Sequence, residues 1–462
     1  MKVMRNNITT TTTTSSIDSL EAFTHCTHPL KRQLHQPTTQ DNNNISKRKK
    51  FYHEHRHSLT PLSSYSLSEQ FLLRKRRFSQ QSNNTNQYSS TTTTPINQYH
   101  HHNSQQQKYV LVTGGAGYIG SHTVLELLKA NYSIVVLDNL VNANLEALAR
   151  VEYLSGKTIY FMEGDVTNEK DLEKVFNQFQ FWSVVHFAAI KAVGESTQIP
   201  LDYYHNNVTG SLHLFRMMNK YKVKNLVFSS SATVYGEPEM MPVNETASLG
   251  PVTNPYGRTK LFVEEMLRDL CNADPEWNVC LLRFFNPVGA HPSGLIGECP
   301  QGVPNNLLPY VIRVLQGHLP FVQVFGHDYD TVDGTGVRDY IHVCDLATGH
   351  VAALKKLELA SLKQCQQKEQ QKGECVAYNL GTGAGYSVLE IIQAMERVTQ
   401  KKIPYKIVDR RPGDVGICTA DATLANKELN WKPVYNMDNM CEDMWRWTKR
   451  NPNGYDGPLI DE

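Results

Sequence analysis

Pro255-Tyr-Gly-Arg-Thr-Lys260 sets a phenol and an amine four residues apart, heading a helical pattern that continues through Leu261, Val263, Met266 and Leu270. At that spacing Tyr256 and Lys260 face one side. A phenol with a pKa of ~10 is a poor base at neutral pH, but a fixed ammonium beside it stabilises the phenolate and lowers that value. Tyr256 then becomes a usable general base. More hydroxyls gather at Ser229-Ser-Ser-Ala-Thr233, where a strand running from Lys224 ends. Serine-rich strand ends also occur as plain turns; the Tyr/Lys pair is what makes Ser231 and Thr233 candidates for holding a substrate oxygen.

A second constellation lies upstream. Tyr109-Val-Leu-Val-Thr has strand composition, Gly114, Gly117 and Gly120 follow, and a helix-like pattern then runs through Val124, Leu125, Leu127 and Leu128. A pyrophosphate can approach such a turn closely because no Cβ intervenes, and the helix N-terminus offers it unpaired N–H groups. Ser133-Ile-Val-Val-Leu-Asp138 reads as the next buried strand, ending in an acid about 20 residues on, where ribose hydroxyls are bound and a 2′-phosphate is repelled. Strand, spacing and acid together point to NAD rather than NADP.

Positioning these groups requires a doubly wound α/β fold. After Asp138 come a helical pattern through Leu145, Leu148 and Val151, a short strand over Thr158–Asp165, helical spacing over Asp171–Phe179 and a buried strand over Ser183–Ala189. This alternation predicts a parallel sheet with its ligand at the carboxyl ends of the strands. His186, inside an apolar strand, is expected to be a satisfied core histidine, whereas Lys191 in the loop beyond it is the candidate for touching the cofactor. Tyr203–Tyr221 reads as one long helix. The expected division is a disordered tail over 1–107, a cofactor domain over 108–285, and a smaller substrate domain over 286–462 with segments returning to the cofactor domain.

The first 107 residues are rich in Thr, Asn, Gln and Ser and cannot bury enough apolar surface to offset the entropy of ordering. Lys47-Arg-Lys-Lys50 and Arg74-Lys-Arg-Arg77 make this arm basic, and they read as solvated charge rather than import signals. The arm's histidines are expected to be incidental, the nine cysteines suggest neither a disulfide framework nor a zinc site, and no metal is expected. No apolar run is long enough to span a membrane and no secretory signal opens the chain, so the cytosol is the expected location.

On these motifs the chain resembles the extended short-chain dehydrogenase/reductase family and, within it, the UDP-glucose 4-epimerase (UDP-galactose 4-epimerase) family. The carrying stretches include Thr113-Gly-Gly-Ala-Gly-Tyr-Ile-Gly-Ser-His122, Lys191-Ala-Val-Gly-Glu-Ser196, Arg283-Phe-Phe-Asn-Pro-Val-Gly-Ala-His-Pro292, Pro304-Asn-Asn-Leu-Leu-Pro309, Gly334-Thr-Gly-Val-Arg-Asp-Tyr-Ile-His342 and Tyr378-Asn-Leu-Gly381, spanning nearly all the foldable chain. The resemblance implies a 4-keto sugar intermediate, with Tyr256 as base and Lys260, Ser231 and Thr233 around it. It implies an NAD site lined by Tyr118, Ile119, Asp138, Asn139, Asp165, Val166, Phe187, Lys191, Asn206 and Phe285. Arg338 and Arg411 would bind the UDP-sugar diphosphate, with Asn286, Asn306, Leu307, Phe325 and Asp414 around uridine and sugar.

Departures from the family pattern carry information too. The polar stretch from about Leu359 to Glu374 is longer than usual and reads as a surface insertion. Cys418 stands where some members carry a tyrosine against the sugar's 2-substituent, which reads either as room for N-acetylated UDP-sugars or as a neutral packing change. A 4,6-dehydratase would need an acid and base after the threonine, and Thr233 is followed by Val234-Tyr235. A cofactor-binding sensor with a nucleic-acid-binding tail would be expected to lose the tyrosine or lysine, and both are intact. No nucleic-acid or membrane partner is expected; a homodimer through the 203–221 and 256–271 helices is.

Overall fold

The computed structural model describes residues 109–366, 373–411, 414–457 and 459–460. The expected disordered arm, with its basic runs and histidines, lies outside these residues, as does the middle of the 359–374 stretch.

Strands and helices alternate through the first half: β1 (Tyr109–Thr113), α1 (Tyr118–Lys129), β2 (Ile134–Asp138), α2 (Leu145–Ser155), β3 (Tyr160–Glu163), α3 (Glu169–Gln178) and β4 (Phe181–His186). A helical run, α4, then combines Pro200–Tyr203, a π-helical turn over Tyr204–Thr209 and Gly210–Lys220. The single uniform helix expected here therefore carries one wider turn. β5 (Asn225–Ser231), α5 (Pro255–Ala273) and β6 (Asn278–Phe284) follow. Beyond them lie β7 (Asn286–Val288), α6 (Leu307–Leu315), β8 (Val322–Phe325), β9 (Val337–His342), α7 (Val343–Gln366), β10 (Cys375–Leu380), β11 (Gly385–Ser387), α8 (Val388–Thr399), β12 (Tyr405–Val408), β13 (Ile417–Cys418), α9 (Thr423–Leu429) and α10 (Met437–Arg450). The polar 359–374 stretch, expected as a surface insertion, begins as the last turns of α7.

Seven strands form one parallel sheet in the order β10-β6-β5-β4-β1-β2-β3, the doubly wound arrangement read from the sequence. The order reverses between β1 and β4, and a ligand crevice belongs at such a switch point. Side chains alternate across each strand: Val110, Val112, Val136 and Val185 pack with α1, α2 and α7 on one face. Leu111, Val135, Leu137 and Val184 pack with α3, α4 and α5 on the other. Both faces are covered, which is why these strands read as near-continuous apolar runs.

The later residues build smaller sheets, β11-β9-β13 with β7 also on β9, and β12-β8. A separate apolar cluster under α6, α8 and α10 supports them. Among the described residues no helix is long and apolar enough to cross a membrane, and no cluster of His, Cys, Asp or Glu could hold a metal ion.

Candidate active site

The glycine turn joins β1 to α1 with almost no spare space. A Cβ on Gly120 would lie 2.2 Å from the Gly114 carbonyl oxygen, and one on Gly114, whose φ is +70°, would lie 2.7 Å from the Ala188 nitrogen. At Gly117, the residue that opens α1, a Cβ would meet only the Gly114 oxygen, at 3.4 Å. The first turn of α1 carries neither an acidic side chain nor a side-chain cap, so it faces its crevice with N–H groups and bare backbone. This cradle fits a dinucleotide pyrophosphate.

Asp138 is buried at the end of β2 and accepts from Ala116 N at 3.0 Å and Leu140 N at 2.9 Å. The acid therefore braces the glycine turn, with further lone pairs left for ribose hydroxyls. Burial holds its carboxyl above the usual range, opposed by those two N–H groups. Asn139 donates to Asp165 at 2.8 Å. Burial also works against the Asp165 charge, but bonds from Thr167 and Asn139 prevail and hold its pKa down. Val166 is buried beneath this edge and would touch a Cβ on Gly210 of α4 at 2.8 Å. Ile119 packs into the core behind the turn.

On the other flank, Tyr118 Oη donates to the Gly289 carbonyl at 2.7 Å, and Lys191 reaches Glu298 at 3.2 Å across the Tyr118 ring. Lys191 is thus engaged by a carboxylate from the later half of the chain, a partner the sequence did not suggest. Phe187 stacks obliquely near His350 with ring centroids 4.7 Å apart. Asn206, on the π turn, donates to its neighbour Asn207 at 2.9 Å.

Asn207 is a residue that sequence reasoning missed. It is buried, accepts from Ile190 N at 2.9 Å, and donates to Ile190 O and to Thr259 Oγ1, each at 3.0 Å. The backbone of the same residue accepts from Ser211 Oγ at 2.5 Å. Ser211 has then spent its proton, so His186 Nε2, 2.9 Å away, must donate to it, and Nδ1 accepts from Thr113 Oγ1 at 2.7 Å. His186 is a satisfied core histidine as expected, with its pKa pulled down to about 3 by burial and then by Lys260. It also ties the glycine turn to the helix that faces Tyr256.

The reacting groups sit where β5 ends. Asn254 caps α5 by accepting from Gly257 N at 2.8 Å, which fixes the first turn carrying Tyr256. Ser231 Oγ accepts from Thr233 Oγ1 at 3.0 Å and Thr233 N at 3.2 Å, which leaves its one proton free to be donated. Lys260 is buried, donates to the Ser229 carbonyl at 2.7 Å and lies 6.0 Å from the Tyr256 ring centroid.

Burial pushes the Tyr256 phenol up to about 12, opposed by the Ser231 hydroxyl. Burial also brings Lys260 down to about 7, opposed by Glu264. The helical spacing showed which groups meet, whereas desolvation depends on everything packed around them.

Glu264 was missed as well, although it repeats the four-residue step from Tyr256 to Lys260. Fully buried, it accepts from Arg283 Nε at 3.0 Å and Nη2 at 2.6 Å, and from Ser230 Oγ at 2.5 Å.

The residues expected around the nucleotide and sugar collect on the later sheets. Arg338 on β9 pairs with Asp414, and Arg411 approaches the same carboxylate at 3.6 Å with its guanidinium 4.4 Å from the Phe325 ring centre. Cys418 on β13 is the register partner of Arg338 and packs with Phe285 and Ala232 in one apolar cluster. That cluster joins the β9–β13 pair to the Ser231–Thr233 strand end. Burial pushes the Cys418 thiol up to about 11. Asn286 is exposed on β7, beside β9, while Asn306 and Leu307 open α6 with no side-chain cap from Asn306.

Residues 111–444 match the family model described as GDP-mannose 4,6 dehydratase. In this chain the residues after Thr233, where a dehydratase would place its acid and base, are the fully buried Val234 and Tyr235. UDP-glucose 4-epimerase of Bos taurus is 57% identical over 352 residues, which cover 75% of this chain and 98% of the bovine protein. The crystal structure of UDP-glucose 4-epimerase from Bifidobacterium longum in complex with NAD+ and UDP is 51% identical, with a TM-score of 0.71, over 75% of this chain and 100% of that one. The UDP-Glc/GlcNAc 4-epimerase of Campylobacter jejuni is 36% identical, with a TM-score of 0.64, over 74% and 99% of the two chains. With a glycine cradle, a buried acid at β2 and a Ser/Tyr/Lys strand end in one doubly wound sheet, the chain belongs to the UDP-glucose 4-epimerase family of extended short-chain dehydrogenases/reductases.

Proposed function

We propose that this chain interconverts UDP-galactose and UDP-glucose by inverting the hexose at C4 through a 4-keto sugar, with NAD as its tightly held cofactor. The observation that carries the reading is the buried Tyr256 phenol with buried Lys260 one helical turn on, the lysine anchored to the strand that ends in Ser231. Tyr256 Oη takes the proton from the 4-hydroxyl as the C4–H bond breaks, and returns it when the ketone is reduced from its other face. Ser231 and Thr233 border that oxygen and orient the phenol. When bound, NAD accepts and returns the hydride and adds a positive charge beside the phenol, which favours the phenolate against the burial that raises its pKa. Gly114, Gly117, Gly120, Tyr118, Asp138 and the residues around Asp165, Lys191 and Asn206 would hold it.

Inversion requires the hexose to turn while the nucleotide stays fixed. Arg338 and Arg411 suit the diphosphate because a guanidinium presents paired donors to phosphate oxygens, and Asp414 orders both of them. Asn286, Asn306, Leu307 and Phe325 would surround uridine and sugar, between a cofactor domain over 108–285 and a substrate domain over 286–462. Cys418 supports an extension to UDP-N-acetylglucosamine and UDP-N-acetylgalactosamine, since a thiol leaves room beside the sugar's 2-substituent. A homodimer through α4 and α5 and a cytosolic location complete the reading.

The test supplies UDP-galactose to the full-length protein and follows UDP-glucose, beside Tyr256→Phe. Turnover without added NAD and a loss of at least about 100-fold in the variant are expected. No turnover by folded wild type with NAD supplied would overturn the reading.

A further inference from the structure

Tyr256, Lys260, Glu264 and Arg268 follow one another at four-residue steps along α5, and the first three are buried. Glu264 receives a two-point contact from Arg283, at 3.0 Å to Nε and 2.6 Å to Nη2, and a weaker one from Arg268 at 3.3 Å. Replacing a buried ion pair with apolar side chains is often neutral for stability, so folding alone does not account for this one.

Its contacts lead to the reacting groups from two sides. Arg283 on β6 is the register partner of Ser230 on β5, and Ser230 Oγ donates to Glu264 at 2.5 Å. Ser230 stands between Ser229, whose carbonyl receives Lys260, and Ser231, whose hydroxyl receives Thr233. Arg283 Nη1 also donates to Tyr235 Oη at 3.0 Å, and Tyr235 donates to Asn379 at 2.6 Å, so the turn carrying Thr233 is held by the same guanidinium. We propose that Glu264 and Arg283 are positioning residues for proton transfer: together they clamp Ser229–Tyr235 against α5, and their opposite charges set the field in which Lys260 and Tyr256 exchange protons. This rests on the function proposed above.

The other groups facing the pair leave that field to a few charges. His186 on β4 is kept neutral, its pKa pulled down to about 3 by burial, and Tyr235 is kept neutral, pushed up to about 12 by burial. The neighbouring Cys271 thiol, and then burial, keep Cys375 on β10 protonated. Arg268 is one-third exposed and partly screened. Glu245 lies beyond Arg283, which donates to its carbonyl at 3.5 Å.

The experiment records the pH profile of kcat for the full-length enzyme, Glu264→Gln and Arg283→Met. It adds the tyrosinate absorbance titration of each, taken as the difference from the same protein carrying Tyr256→Phe. Removing a negative charge lowers both the phenol and the ammonium pKa, and removing a positive charge raises both. The profile and the absorbance midpoint of Glu264→Gln should therefore move to lower pH by about one unit, and those of Arg283→Met to higher pH by a similar amount. Either variant alone decides, should the other fail to fold. A folded variant whose profile keeps the wild-type position and only loses amplitude would overturn the proposal. Absence of turnover in the wild type would instead count against the epimerase reading.

Discussion

Cys418 is where a small side chain decides what fits. It shares the apolar cluster beside the Ser231–Thr233 strand end with Phe285 and Ala232, and Arg338 is its partner on the neighbouring strand. A tyrosine there would add a ring to a packed cluster and fill space beside the sugar. Cys418→Tyr is expected to cut turnover of UDP-N-acetylgalactosamine at least tenfold while leaving UDP-galactose turnover within about threefold. N-acetyl turnover that is unchanged, or absent from both proteins, would sink this extension. At this scale the sequence was informative about identity and silent about environment. Tyr256, Lys260 and Asp138 could be picked out because their chemistry is written in residue type and spacing. The rise of the phenol to about 12 could not, because burial is set by strands and helices far away in sequence.

The π-helical turn in α4 shows why an element can be foreseen while its most useful feature is not. Apolar periodicity over 203–221 predicts a helix, and a helix forms; one wider turn at Tyr204–Thr209 barely disturbs the pattern. Yet this turn carries Asn207, whose amide satisfies both backbone groups of Ile190 and reaches Thr259 beside Lys260. Such turns concentrate at functional sites. Removing the amide with Asn207→Ala leaves a part-buried N–H and C=O unpaired, at a cost of about 2 kcal/mol. The loop from Ala188 to Lys191 should loosen with it, and that loop packs against Gly114. A lower urea midpoint is expected, together with loss of NAD during gel filtration that the wild type survives. An unchanged midpoint with full cofactor retention would show that the π turn does not depend on this side chain.

Over the whole molecule, apolar groups remain outside as well as in. Leu201 on α4 and Phe262 on α5 are exposed, and the Tyr204 ring stacks on Phe262 with centroids 6.0 Å apart. A second copy meeting these helices would cover them; Phe262→Glu should convert a dimer at micromolar concentration to monomer in sedimentation, and a wild type that sediments only as monomer would reject the dimer. The interior sets a different whole-molecule property. His122, His186 and His350 are all but fully buried, and burial pulls their pKa values down to about 3, 3 and 4. Each lies below the unfolded value near 6.5, so the unfolded chain binds protons that the folded one refuses. Their contribution to stability is complete above pH 6.5 and is lost as pH falls towards 3. Between pH 7.5 and 5.5 the three together should remove about 4 kcal/mol. Asp138, Asp339 and Asp345, whose pKa values burial raises, oppose this as pH falls through their folded-state values. The urea midpoint should therefore fall steeply between pH 7 and 5.5, and His186→Gln, which removes one titrating group, should flatten that slope. A midpoint constant across this interval would mean that the histidines take up protons without unfolding the chain.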